Sequence, residues 1–193
     1  LDHWGKGTLV ATSPGVAPLE IGFTVHGSHE AFVTQPSNTV AGRVMTPTVQ
    51  AVISDDTGAL DESFTSLSVG LTGCGASPSA NIATVNTVGG VATFDGLKIG
   101  PACDSYQLQL NTSYPNWPPP VLSDPFAVTK GPPSQLGLSM ARSYVTRRIP
   151  FTIVASIEEA CGNVIAVAPT SVTLSLAGAA LSGTTTQLTS SGV

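Results

Sequence analysis

Charged side chains are scarce in this sequence. Asp, Glu, Lys and Arg make up 10% of its 193 residues, whereas an ordinary soluble domain has about 25%. Only seven residues are Lys or Arg and the formal net charge is −5, which argues against nucleic-acid binding because phosphate contacts need clustered cations. A run of about 18 apolar residues is also missing, so we expect no membrane span in this segment.

Helical periodicity is missing as well. The 15 prolines and 20 glycines would interrupt helices, and apolar residues instead alternate with polar ones in residues 66–71, 105–111 and 171–176. Such alternation predicts strands with one buried face. The predicted fold class is all-β, with antiparallel two-sheet sandwiches. Strands are predicted near residues 31–35, 38–43, 48–54, 64–71, 82–87, 90–95, 105–113 and 123–129.

Short segments recur at a spacing of about 103 residues. Phe23-Thr24-Val25 recurs as Phe126-Ala127-Val128, and the run that begins at Pro47 recurs at Pro150. Solenoid repeats have periods of roughly 20 to 50 residues, so this period indicates tandem domains. We therefore expect the sequence to cover part of an array of tandem domains. Residues 1–28 would be the C-terminal part of one domain, 29–130 a complete domain and 131–193 the N-terminal part of the next, with linkers at 26–30 and 130–134.

The order of several motifs carries a resemblance to a known family. Residues 32–42, the acidic turn with glycine and residues 90–99 (Gly-Val-Ala-Thr-Phe-Asp-Gly-Leu-Lys-Ile) resemble tandem bacterial-Ig-like or filamin-like repeats. The match covers nearly all of residues 31–129 and, more loosely, 136–193. It implies tandem Ig-like sandwiches in a large extracellular protein. The Ala/Ser/Thr/Pro-rich composition is similar to green-algal ciliary surface proteins that form hair-like mastigoneme filaments.

The three cysteines are an odd number. Cys74 and Cys103 lie at the ends of predicted strands, where a disulfide would pin two loops of one domain. Cys161 lies in the acidic turn of the next repeat, at a position that Thr57 or Gly58 occupies in the first. Its partner would then lie beyond the chain, or it would form a bridge to another domain or another subunit.

Two surface features are candidate modification or contact sites. Asn111-Thr112-Ser113 is an N-glycosylation sequon, and Asn111 should point outward because the alternating residues Tyr106, Leu108 and Leu110 point inward. Trp117 would either cover the end of the sandwich or be exposed as a contact for a neighbouring subunit. The algal resemblance implies hydroxylated, O-glycosylated prolines, with Pro118, Pro119 and Pro120 as candidates.

The acidic turns and the histidines are candidate metal ligands. Ca²⁺ requires six to eight oxygen ligands, and the pairs Asp55-Asp56 and Glu158-Glu159 lack a dense acidic loop. Aspartates that bond their own turn explain the pattern better. His3, His26 and His29 are predicted on linker surface, since zinc needs three or four ligands and Glu30 is the one carboxylate beside them. We therefore expect no metal site and no cofactor other than an N-linked glycan.

Catalytic motifs are also missing from the sequence. It has no Gly-x-Ser-x-Gly elbow and no phosphate-binding Gly-Lys loop, so we expect no enzyme. The best interpretation is a structural segment of an extracellular filament or surface assembly, such as a mastigoneme-like ciliary hair, with other copies of itself or other filament proteins as partners. The alternatives are an adhesin or receptor ectodomain that binds a carbohydrate or protein, and a stalk for a distant enzyme domain.

Overall fold

The computed structural model describes residues 5–61, 66–75, 81–111 and 120–193. These residues form fourteen β-strands and no helix, so the all-β prediction is confirmed. In chain order the strands are β1 (Gly5–Ser13), β2 (Val16–Val25), β3 (Ser28–Thr34), β4 (Thr39–Val40), β5 (Val49–Asp55), β6 (Ser66–Thr72), β7 (Asn81–Val88), β8 (Val91–Phe94), β9 (Cys103–Asn111), β10 (Phe126–Thr129), β11 (Gln135–Met140), β12 (Ile153–Glu158), β13 (Ser171–Thr173) and β14 (Thr186–Leu188).

Each of the eight strands predicted for the complete repeat has a counterpart among β3 to β10. The largest difference is at the predicted 26–30 linker. There β2 ends at Val25 and β3 begins at Ser28, so two residues join the strands. Pairing of β3 with β5 extends strand structure into the rest of the predicted linker. Across the described ranges, no helical segment is long and apolar enough to cross a membrane.

One sheet has eight strands in the order β3-β5-β8-β7-β6-β9-β10-β4. The sequence predicts antiparallel sheets, but β4 runs parallel to β10, so this sheet is mixed. The difference arises because Pro36 and its neighbours separate β3, which pairs with β5, from β4, which pairs with β10. Asn38 supports the second pairing by accepting a hydrogen bond from the Ala127 N–H (2.8 Å). The division into tandem Ig-like sandwiches stays a prediction.

The chain divides into two compact units. The first lies within Leu1–Pro36, Thr46–Leu97 and Gln107–Pro125. Strand β5 and the Gln107–Asn111 part of β9 alternate buried and less buried positions, as the period-two pattern requires, whereas the five central residues of β6 are all buried. Its core residues include Val49, Ala51, Ile53, Leu67, Val69, Phe94, Leu108 and Leu110.

The second unit lies within Ser37–Met45, Lys98–Tyr106 and Phe126–Val193. Its core includes Ala41, Met45, Ile99, Tyr106, Phe126, Val128 and Ile157. The rings of Tyr106 and Phe126 lie 6.1 Å apart as cross-strand partners of β9 and β10. The β11–β12 and β13–β14 pairs of this unit form separate two-stranded sheets.

Candidate functional site

The first acidic turn, residues 55–60, follows β5 and is organised by Asp55. Its Oδ1 accepts hydrogen bonds from the Thr57 hydroxyl (2.6 Å), the Thr57 N–H (2.9 Å) and the Ala59 N–H (3.0 Å). The hydroxyl of Thr57 holds the pKa of Asp55 below its usual value; desolvation opposes this and the two backbone donors reinforce it. Asp55 therefore bonds its own turn, the arrangement that the sequence predicts here.

The second acidic turn, residues 159–164, follows β12 and is organised by Glu159. Oε1 of Glu159 accepts hydrogen bonds from the Cys161 N–H (2.9 Å), the Asn163 N–H (3.0 Å) and the Asn163 amide Nδ2 (2.6 Å). Burial raises the pKa of this carboxyl, but the hydrogen bonds from Asn163 and Cys161 outweigh it and leave the pKa below its usual value. Glu159 is only 2% exposed, so these donors replace its water.

The two turns have the same backbone hydrogen bonds. The N–H of Asp55 donates to Ala59 O and the N–H of Glu159 donates to Asn163 O (2.8 and 3.1 Å), while Gly58 and Gly162 each close the turn. Asp55 therefore corresponds to Glu159, a spacing of 104 residues. The spacing of 103 residues between Pro47 and Pro150 would match Asp55 with Glu158, so the sequence repeat is wrong by one residue at this turn. Of the two positions proposed for Cys161, the structure selects that of Thr57.

Asn163 connects the second turn to the segment 98–106 of the same unit. Its Nδ2 donates to Gly100 O (2.8 Å), and its Oδ1 accepts from the Ala102 N–H (3.0 Å). The side-chain amide thus pairs with two backbone groups of the segment just before β9, as a backbone peptide group would. Because Asn163 also donates to Glu159, the carboxylate fixes the orientation of this amide.

Two further contacts hold the second turn. Lys130 Nζ donates to Val164 O (2.7 Å). Cys161 packs so closely on Gly42 that a Cβ at Gly42 would lie 2.6 Å from the Cys161 Sγ, and Gly42 has φ +71°. Glycine is needed at this position both for its backbone conformation and for space. We call this set the joint: Gly42, Gly100, Ala102, Lys130 and the second acidic turn.

The sequence interpretation missed the joint. One difference between the two turns could have indicated the joint: the second turn has Asn163 at the position where the first turn has Ala59. No protein-family model matches this chain, and no curated protein matches it either. The resemblance to Ig-like repeats of filament proteins therefore stays a prediction.

Cys74 and Cys103 form a disulfide. Cys103 begins β9 and is buried, whereas Cys74 lies in the turn after β6 and is exposed. In the chain-entropy account, closing a loop of this length stabilises the fold by about 3.5 kcal/mol. Cys161 carries a free, exposed thiol. Its predicted partner beyond this chain or in another subunit stays a prediction.

A third cluster lies beside the first turn. His26 Nδ1 is 2.6 Å from Asp56 Oδ1 and 4.0 Å from Asp55 Oδ2. The hydrogen bond to Asp56 raises the pKa of His26, and the charges of both aspartates add to it against some desolvation. The sequence interpretation gave His26 no carboxylate partner except Glu30, which was wrong, because the β3–β5 pairing places the linker beside Asp55.

His26, Asp55 and Asp56 offer three ligand atoms within 4.8 Å of one another. One oxygen of Asp55 is already occupied by the three hydrogen bonds of its turn, and the side chains of His26 and Asp56 are nearly half exposed. The cluster therefore links the linker to the turn by a hydrogen bond, and this contact becomes an ion pair when His26 is protonated.

Glu30 lies on β3, close to this cluster in sequence. Its Oε1 is buried and has no hydrogen-bond partner among the described residues. Burial raises the pKa of Glu30 to about 7, because removal from water penalises the charged form. At neutral pH this carboxyl is therefore close to its midpoint of titration.

The remaining predicted sites are only partly described. Asn111 ends β9 and faces away from the buried Leu110, as the parity argument requires, and its Oδ1 accepts a hydrogen bond from Gln109 (2.8 Å). Glycosylation of Asn111 stays a prediction. Pro120 is exposed. His3, Trp117, Pro118 and Pro119 lie outside the described residues.

Proposed function

We propose that this chain is a structural segment of an extracellular filament or surface assembly, built from tandem β-sandwich domains whose orientations are fixed by side-chain joints. The observation that carries this proposal is the joint. There, the turn of one repeat donates and accepts hydrogen bonds with the segment 98–106 and packs against Gly42 in the segment 37–45, and both segments belong, by the sequence repeat, to the repeat before it. Such a contact restrains bending between neighbouring domains, which a load-bearing array needs.

Three features support this setting. The Cys74–Cys103 disulfide is typical of proteins that fold in an oxidising compartment. The short linker 130–134 contains Pro132 and Pro133, and proline limits bending. The resemblance to tandem Ig-like repeats and to mastigoneme-like ciliary hairs supplies the kind of assembly. Other copies of the chain or other filament proteins are the expected partners.

The joint is tested by amide hydrogen exchange of Ala102, whose N–H donates to the Asn163 side chain. In the Asn163→Ala variant we expect Ala102 to exchange about fivefold faster, because one hydrogen bond contributes about 1 kcal/mol. Asn86→Ala, at an exposed position of β7, is the matched control and should exchange as wild type does. Equal Ala102 exchange in all three proteins would show that the joint does not form in solution.

The wider proposal is tested by labelling. An antibody raised against the 193-residue chain should decorate fibres on the surface of intact cells, at regular intervals along each fibre. Labelling that requires permeabilised cells would contradict an extracellular role. Labelling of isolated surface particles without fibres would favour the adhesin or receptor interpretation.

A further inference from the structure

Three side chains that can bind a metal ion converge where the linker meets the first acidic turn. His26 Nδ1 and one carboxylate oxygen each of Asp55 and Asp56 lie within 4.8 Å of one another. The sequence places no carboxylate except Glu30 beside His26 and therefore predicts no metal site. The register of β3 against β5 supplies the two aspartates. An imidazole with two carboxylates suits Zn²⁺ better than Ca²⁺, which takes oxygen ligands.

Backbone contacts hold these residues together. Ser28 of β3 pairs with Asp55 of β5, and the N–H of Asp56 donates to Gly27 O (3.0 Å). His26 directly precedes Gly27, so all three ligands stand on backbone that is already joined. A site on such joined segments loses less conformational entropy on binding than a site on a loose loop.

The carboxylate of Asp55 is oriented by its own turn. Its Oδ1 accepts three hydrogen bonds from Thr57 and Ala59, whereas Oδ2 lies 4.0 Å from His26 Nδ1. No donor in the part of the chain that the structure describes bonds Oδ2. This oxygen can therefore bind a metal ion without the loss of any hydrogen bond of the turn. The donors on Oδ1 would orient it, as outer contacts do at metal sites.

The distances between the ligand atoms fit a zinc ion after small side-chain movements. Tetrahedral zinc has bonds of about 2.0 to 2.1 Å, which place neighbouring ligand atoms about 3.3 Å apart. His26 Nδ1 lies 2.6 Å from Asp56 Oδ1 and 4.0 Å from Asp55 Oδ2, so the observed separations lie on either side of this value. The side chains of His26 and Asp56 are 44% and 47% exposed. They can therefore adjust, and the ion can keep a water molecule as its fourth ligand.

The second acidic turn shows that this ligand set is not needed to form the turn. Ala160 stands at the position of Asp56, and Thr129 stands at the position of His26 when the repeat is aligned on a spacing of 103 residues. The second turn nevertheless has the same backbone hydrogen bonds as the first. It is held by the joint, through the amide of Asn163. His26 and Asp56 thus occur at the turn that lacks this amide.

We propose that His26, Asp55 and Asp56 bind one Zn²⁺ ion, with water as the fourth ligand, and that the ion ties the linker to the first acidic turn. His26 coordinates through Nδ1 and carries its proton on Nε2, while the two carboxylates balance the charge of the ion. Zn²⁺ thereby restrains the first turn as the joint restrains the second. Binding stands on the geometry of the site alone, whereas a role in fixing neighbouring domains rests on the proposed array.

Isothermal titration calorimetry with ZnCl₂ tests the site on the 193-residue chain after treatment with a chelator. We expect one Zn²⁺ ion per chain. His26→Ala should weaken binding by more than about tenfold, since losing even an outer contact of a metal site costs that much. Asp56→Asn keeps the shape of the side chain and should also weaken binding. His29→Ala, at an exposed position of β3, is the matched control and should bind as wild type does.

Two other outcomes would overturn the proposed site. Wild-type chains that bind no Zn²⁺ would remove it outright. The exposed thiol of Cys161 is the competing ligand. Zn²⁺ that binds equally well to His26→Ala and is lost in Cys161→Ala would place the ion on this thiol instead.

Amide hydrogen exchange of Asp56 tests the tie between linker and turn, because its N–H donates to Gly27 O across this contact. With ZnCl₂ at about ten times the Kd, exchange should slow about tenfold, since states in which the contact is open have released the ion. Unchanged Asp56 exchange at saturating Zn²⁺ would overturn the tie. Chains that bind no Zn²⁺ but keep the Ala102 amide protected would remove the ion and leave the proposed joint unaffected.

Discussion

The two acidic turns have the same backbone hydrogen bonds, but their side chains contact different parts of the chain. In each turn a carboxylate accepts two backbone N–H groups and one side-chain donor. In the first turn the third donor is the hydroxyl of Thr57, which reaches no further. In the second turn it is the amide of Asn163, which also bonds Gly100 and Ala102. One turn can therefore serve as a loop or as a joint, according to a single side chain.

The largest effect is expected where the second turn has least space, at Gly42. Gly42→Ala places an L-residue at φ +71° and a Cβ 2.6 Å from the Cys161 Sγ, so we expect the free energy of unfolding to fall by about 3 kcal/mol. Gly96 has the same φ but nothing within 4 Å of its Cβ position. Gly96→Ala should therefore cost about 1 to 2 kcal/mol, from backbone strain alone. Urea denaturation measures both changes.

A second substitution separates the two causes of the loss at Gly42, which are backbone strain and the close contact with the Cys161 Sγ. Cys161→Ala removes the Sγ, so the double variant Gly42→Ala with Cys161→Ala should recover the difference between the Gly42 and Gly96 variants. Equal losses for the two single glycine variants would mean that Cys161 does not pack on Gly42 in solution, and the joint would lose one of its contacts.

The next effect is the acid sensitivity of Glu159. Its pKa in the folded protein is lowered by the donors of the second turn, so its contribution to stability is present above its ordinary pKa and is lost as pH falls through the folded value. In Glu159→Gln this part of the acid dependence should disappear, and Ala102 exchange should rise because a neutral amide oxygen accepts the Asn163 hydrogen bonds more weakly than the carboxylate does. Asp55→Asn should leave the exchange of Ala102 unchanged, since Asp55 makes its side-chain bonds within the first turn. Faster Ala102 exchange in both variants would contradict a separate role for the second turn.

The sequence predicted the strands well because each carries its own period-two signal. Residues such as Leu108 and Leu110 are buried where alternation placed them. The one-residue error at Glu158 has a different origin. Val25 to Asp55 spans 30 residues and Val128 to Glu159 spans 31, so a fixed period cannot align both ends of this segment.

Contacts between distant segments were not predictable in the same way. The pair His26–Asp56 depends on the register of β3 against β5, and the pair Asn163–Ala102 joins residues 61 positions apart. No local pattern encodes such pairs, because a side chain contributes the same propensity whichever segment it meets.

The smallest effect on the free energy of unfolding is expected at Glu30, which lies on β3. Its folded pKa of about 7 lies above the ordinary value, so the unfolded chain releases its proton first and stability falls as pH rises from about 4.5 to 7. Water around its partly exposed carboxyl limits the loss to about 1 to 2 kcal/mol. Glu30→Gln should remove this slope in urea denaturation between pH 4.5 and 8, whereas Glu20→Gln on β2 is the matched control. His26, whose pKa is raised, loses its contribution above pH 6.5, so a shallower fall should remain there. A slope unchanged in Glu30→Gln would show that water reaches both oxygens of this carboxyl.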